Sequence, residues 1–146
     1  VPCIVSWPGT IPAGALSTEI MDLSDFLPTF CEMSGAPVPE GIDGKSLLAT
    51  LKGGKKKHRD WIHIWYSRSG SNKQAKQFVR NQRYKLYGDG RFFDVEKDVL
   101  EKSPLQSPLS EEQRQVRSLL KGGLDHYRDK RPGHLGKEKK KEKKRK

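Results

Sequence analysis

The opening residues, VPCIVSW, constrain this chain more than any other stretch. An apolar, β-branched run closed by Pro8-Gly9 reads as a buried strand that ends in a turn. A strand so short of polar side chains is stable only when it is paired along both edges or packed beneath other elements. The residues that would cover it are not close by in this sequence. The expectation is that the chain is a piece of a longer protein.

Composition points the same way. Of the 146 residues, 33% are hydrophobic and 32% charged, which is lean for an independent core. The net charge of +11 raises a polyanion as partner, so its location matters. The last ten residues, KEKKKEKKRK, carry +6 of it and read as a solvated, disordered appendage. That tail has no interleaved aromatics for base stacking, which argues against nucleic acid. A second basic cluster, Lys55 to Arg59, follows Gly53-Gly54 and reads as a solvated linker. Cys3 and Cys31 sit in apolar runs, lack metal-ligand spacing and are expected in the core, with a disulfide between them left open. No run approaches the roughly 18 apolar residues of a membrane span.

After a loop punctuated by Pro8, Gly9, Pro12 and Gly14, the hydrophobic period changes. Ile20, Leu23, Leu27, Phe30 and Met33 recur at three- and four-residue steps, predicting a helix laid on a core, firmest over 25–34. Ser24 or Asp25 can cap its start and Gly35 ends it. Pro37, Pro39, Gly41 and Gly44 mark an irregular loop, and Ser46 opens a short turn carrying Leu47, Leu48 and Leu51. Beyond the linker, DWIHIWYSR alternates as a strand covered on both faces. Residues 77–80, 83–87 and 91–95 supply three more strands, so the region reads as an antiparallel meander. Ser110 then caps a helix with Glu111 and Glu112 in its first turn and Val116, Leu119 and Leu120 as its apolar stripe, which Gly122-Gly123 is expected to interrupt.

Chemistry is sparse. His58, His126 and His134 read as exposed, and His63, between two isoleucines, reads as a satisfied, partly buried strand residue. Asp89, Asp94, Glu96 and Asp98 are explained as solvated turn residues, and Asp43 as a turn former. The tripeptide Gly44-Lys45-Ser46 lacks the upstream glycine of a phosphate-binding loop.

Three blocks in this order, VPCIVSWPGTIPAG, MDLSDFLPTFCEMSGAPVPEGIDGKSLL, and VRNQRYKLY followed by FFDVEKDVLEKSPL, resemble the C-terminal portion of the bacterial sulfatases, within the alkaline-phosphatase-like superfamily. The likeness runs from Val1 to about Leu105, with Val99 standing where the family often has proline. It implies an α/β fragment: the last strand and helix of a large α/β sulfatase domain (1–54), a basic linker (55–60), a small antiparallel sheet with a helix (61–130) and a disordered Lys-rich tail (131–146).

The resemblance also implies hydrolysis of sulfate esters, on a sulfated carbohydrate or an aryl sulfate, by the longer protein. Family members use a formylglycine made within a Cys/Ser-x-Pro-x-Arg motif beside a divalent cation, usually calcium. Neither cysteine fits that motif, and Ser6-Trp7-Pro8-Gly9-Thr10 has threonine in place of the arginine. No catalytic or metal-ligating residue is therefore assigned to this chain, which alone is expected to be inactive. His63, Tyr66 and Arg68, with Asn72, are the candidate substrate contacts on the pocket rim. The competing reading is that Trp61, Trp65 and Tyr66 fill the subdomain core. Family habit implies a periplasmic or secreted parent. Two alternatives stand beside this one: a free-standing basic module that binds polyanions, and a phosphatase or phosphonate hydrolase of the same superfamily.

Overall fold

The computed structural model describes residues 2–70 and 75–130. The expected tail, with His134 and Asn72, lies outside the described residues. The chain divides into two compact units, Val1–Asp60 and Trp61–Lys146.

In the first unit a single 3-10 turn, Leu23–Asp25, runs into helix α1, Phe26–Ser34. The start lies earlier than the expected cap. Asp22 is the N-cap, accepting from the Ser24 amide at 2.8 Å, while Asp25 accepts from the Asp22 amide at 2.9 Å. Gly35 closes the helix at φ 73°, a left-handed conformation that glycine adopts without steric cost. Helix α2, Leu48–Leu51, follows Ser46, whose hydroxyl accepts from the Leu48 amide at 3.2 Å.

Three expectations fail in this unit. Residues 2–7 form no strand, and Ile4 is 94% exposed, because a strand exists only through a ladder partner and the described residues offer none. Cys3 is exposed with them rather than in a core, and both cysteines are free thiols. The apolar face of α1 is also turned outward: Leu23, Leu27 and Phe30 are exposed, and the buried positions are Asp25, Pro28 and Thr29. The loop through Gly44 is what covers them. A Cβ on Gly44 would lie 2.1 Å from the Ser24 carbonyl oxygen, so only glycine lets the backbones approach this closely.

The second unit is the meander. Strands β1 (Ile62–Tyr66), β2 (Lys76–Arg80), β3 (Tyr84–Tyr87) and β4 (Phe92–Asp94) pair antiparallel in chain order, in registers that set His63 opposite Val79, Val79 opposite Leu86 and Leu86 opposite Phe92. Helix α3, Glu111–Tyr127, lies across the face bearing Val79, Tyr84, Leu86 and Phe92, and Leu120 completes that core. Ser110 and Gln113 cap each other reciprocally.

The glycine pair does not interrupt α3. Gly123 is buried against the sheet, where a Cβ would meet the Val79 methyl at 3.0 Å and the Trp61 ring at 3.1 Å, so its smallness sets the helix–sheet distance. Asp94 is likewise no solvated turn residue. It is 5% exposed, and Arg83 donates to it through Nε at 3.1 Å and Nη2 at 2.9 Å. Those bonds hold its carboxyl below the usual range against the opposing effect of burial.

The opposite face of the sheet is closed by charge and rings. The Lys85 ammonium lies 3.9 Å from the Phe78 ring centre and 4.7 Å from that of Tyr87, and donates to Glu101 at 2.6 Å. The Tyr87 hydroxyl donates to the same carboxylate. Burial would raise the Glu101 pKa, but these two donors outweigh it and the net shift is downward.

Candidate functional site

The most elaborate polar arrangement in the first unit centres on Asp25, whose side chain is inaccessible to solvent. Its carboxylate receives the Asp22 amide at 2.9 Å, the Lys45 amide at 2.8 Å and the Arg59 guanidinium through Nε and Nη2, and lies 3.0 Å from His58 Nε2. Burial alone would push such a carboxyl upward. The Arg59 bonds, the two amides and His58 reverse that, holding the Asp25 pKa at about 2. Arg59 also donates to the Asp43 carbonyl at 2.9 Å, and the Thr29 hydroxyl donates to the Asp25 carbonyl while accepting from the Leu47 amide. The cluster therefore ties the start of α1, the 43–47 loop and residues 58–59 together.

This corrects two expectations from sequence. His58 is not exposed, its side chain being only 5% accessible, and the basic cluster is not a free linker at its far end, since His58 and Arg59 are anchored on a buried carboxylate. Nothing local in the sequence announces this, because Asp25 and its cationic partners are more than thirty residues apart.

The predicted rim residues do not converge on one point. His63 and Tyr66 are three positions apart on β1, and strand alternation sends them to opposite faces. The His63 ring stacks on Tyr127 of α3, with centres 4.4 Å apart and planes 17° from parallel, while the indole of Trp61 meets Tyr127 edge-on at 6.2 Å. Tyr66 is 61% exposed, and Arg68 is exposed in the turn that follows β1. Trp61 thus joins the core, and Tyr66 does not.

The described residues do not fit a calcium ion or a formylglycine. No three His, Cys, Asp or Glu side chains among them are grouped to hold a metal ion, and neither Cys3 nor Cys31 opens a Cys-x-Pro-x-Arg sequence. No helix among them is long and apolar enough to cross a membrane.

Comparison with known proteins places this architecture. The family model for the C-terminal region of N-sulphoglucosamine sulphohydrolase matches residues 1–130, spanning both units. The N-acetylglucosamine-6-O-sulfatase of Bacteroides thetaiotaomicron is 28% identical over 145 residues, covering 90% of this chain and 26% of that protein. A putative sulfatase from Bacteroides fragilis superposes with a TM-score of 0.65 at 21% identity, over 85% of this chain and 29% of that one. A protein solved in complex with D-glucosamine-2-N,6-O-disulfate superposes at 0.59 with 24% identity, over 74% of this chain and 24% of that one. The chain spans about a quarter of the length of the first curated relatives it matches and under a tenth of others. A family match across both units, joined to the four-stranded meander and its single long helix, identifies the chain as a member of the sulfatase C-terminal family typified by N-sulphoglucosamine sulphohydrolase.

Proposed function

We propose that this chain is the C-terminal part of a sulfatase that hydrolyses sulfate esters of a carbohydrate, with an N-acetylglucosamine-type sugar as the first substrate to test. The family match over residues 1–130 carries the reading, and the name of the N-acetylglucosamine-6-O-sulfatase relative directs the choice of sugar. In this reading the nucleophile and the divalent cation come from residues outside the chain. The formylglycine would supply the nucleophilic oxygen, and calcium would bear the sulfate charge. The exposed apolar face of α1, with Leu23, Leu27 and Phe30, supports a larger α/β domain as its cover. Tyr66 and Arg68 would stand at the pocket rim, the ring for a sugar face and the guanidinium for a sulfate, with His63 positioned behind them by Tyr127. The whole protein would work in the periplasm or outside the cell.

The test is sulfate release by the longer protein encoded with this chain, using N-acetylglucosamine-6-sulfate and an aryl sulfate, beside the 146-residue chain assayed alone. Turnover by the longer protein and none by the chain is expected. Metal-independent turnover by the chain alone would overturn the division of labour, and turnover of a phosphonate ester but no sulfate ester would overturn the reaction class.

A further inference from the structure

A basic groove runs along α3. Two clefts, of about 450 and 220 Å³, meet at Gly90 and Arg117. The larger is walled by residues 104–107 and Leu109, and the smaller by Gln77, Gly88 and residues from Arg117 to Arg128. Gly90 sits at φ 93° in the β3–β4 turn, so on the sheet side of the junction no side chain stands opposite Arg117.

The charge of this groove is not self-cancelling. Arg117, Lys121 and Arg128 recur at four- and seven-residue steps, a single stripe of the helix about 16 Å long. The two carboxylates of the groove each already have an arginine, Asp89 with Arg91 at 2.9 Å and Asp125 with Arg128. Arg117 and Lys121 have no carboxylate partner among the described residues, and both are exposed. Their separation along the helix axis is about 6 Å, which two anionic groups on one flexible chain can match.

The chemistry of the lining selects among anions. Tyr87, the one aromatic residue lining the smaller cleft, alternates with Leu86 on β3, so its ring lies on the sheet face opposite α3, where Lys85 and Arg91 stand 4.7 and 4.6 Å from its centre, and the cleft offers no ring for a nucleobase to stack on. What remains is a guanidinium, an ammonium and the Gln77 carboxamide, groups that bind sulfates and hydroxyls. We infer that the α3 groove is a non-catalytic anchoring site for a sulfated polysaccharide chain, held chiefly by Arg117 and Lys121. The inference rests on the sulfatase reading for its ligand class but not for its geometry.

The experiment is an NMR titration of the full isotope-labelled chain at physiological salt with a heparin oligosaccharide, its desulfated counterpart, inorganic sulfate and a short DNA duplex. Parallel titrations use Arg117→Gln/Lys121→Gln, and Lys139→Gln/Lys140→Gln as a control for the basic tail. The sulfated oligosaccharide is expected to move the amide signals of Gln77, Gly88, Gly90, Arg117 and Lys121, the desulfated one to leave them in place, and the groove variant to bind about tenfold more weakly. The tail variant is expected to retain the groove shifts. Both groove side chains are exposed, so an unchanged melting temperature is the check that the variant folds. Shifts confined to other residues, an unaltered affinity in the groove variant, or the same groove shifts with DNA or inorganic sulfate at equal concentration would each overturn the proposal. Sulfatase turnover by the longer protein with groove variants that bind normally would sink the anchoring site and leave the proposed activity standing. Groove binding without turnover would do the reverse.

Discussion

At Asp25 a single carboxylate gathers two backbone amides, an arginine and a histidine, and the energetic consequence is asymmetric. Forming such a buried pair gains little over an apolar substitute, but removing one partner strands the other. Asp25→Asn leaves the Arg59 guanidinium facing an amide that cannot neutralise it, and is expected to destabilise the first unit by about 3 kcal/mol in urea unfolding. The same site predicts a pH response. Its folded pKa of about 2 lies below the ordinary 3.8, so the contribution is present above pH 4 and is lost as pH falls towards 2. The difference amounts to about 2 kcal/mol, and an unfolding midpoint that is flat from pH 7 to 4 and then drops would match it. The Asp25→Asn variant should show a shallower drop, with the contributions of Asp94 and Glu101 remaining.

At the scale of elements, α3 offers a comparison within one dipeptide. Gly122 has open space where a Cβ would go, whereas Gly123 faces Val79 and Trp61. Gly122→Ala is therefore expected to stabilise the chain by up to about 1 kcal/mol through helix propensity. Gly123→Ala gains the same propensity but must force helix and sheet apart, and is expected to destabilise by about 1–2 kcal/mol. Thermal melts of the two variants should move in opposite directions. Ser110→Ala should cost about 1 kcal/mol by removing the cap bonded to the Gln113 amide. The meander and the long helix were legible because their signals are local: alternation over five residues, a serine cap followed by two glutamates in the first turn, and turns rich in glycine and asparagine. The helix-interrupting role expected of Gly122-Gly123 was wrong because propensity cannot register that a missing side chain makes room for a neighbouring sheet. For α1, the period identified which face is apolar but carries no information about what covers it. Asp25 was illegible as a site because its ligands come from a loop and a basic cluster far along the chain. The rim residues fared unevenly. Tyr66 and Arg68 are accessible, while the His63 ring is taken up by a tyrosine that lies sixty-four positions away.

For the molecule as a whole, most of the apolar surface that the first unit displays lies on α1 and the opening segment, and most of its polar order lies in one buried cluster. That combination has a consequence for how the chain can be cut. Lys55, Lys56 and Lys57 are exposed, but Arg59, two residues on, has its side chain only 10% accessible and clamped on Asp25. Limited trypsin digestion is expected to cleave after the lysines and to spare Arg59, which mass spectrometry of the early fragments would reveal; early cleavage after Arg59 would contradict the clamp. A nick after Lys57 severs the peptide bond and leaves the ionic bond in place. Acid that protonates this one carboxylate should therefore loosen a nicked chain more than an intact one, because the cut removes the covalent tether that otherwise keeps residues 58–59 beside Asp25, and the ion pair is then a clasp with no hinge behind it.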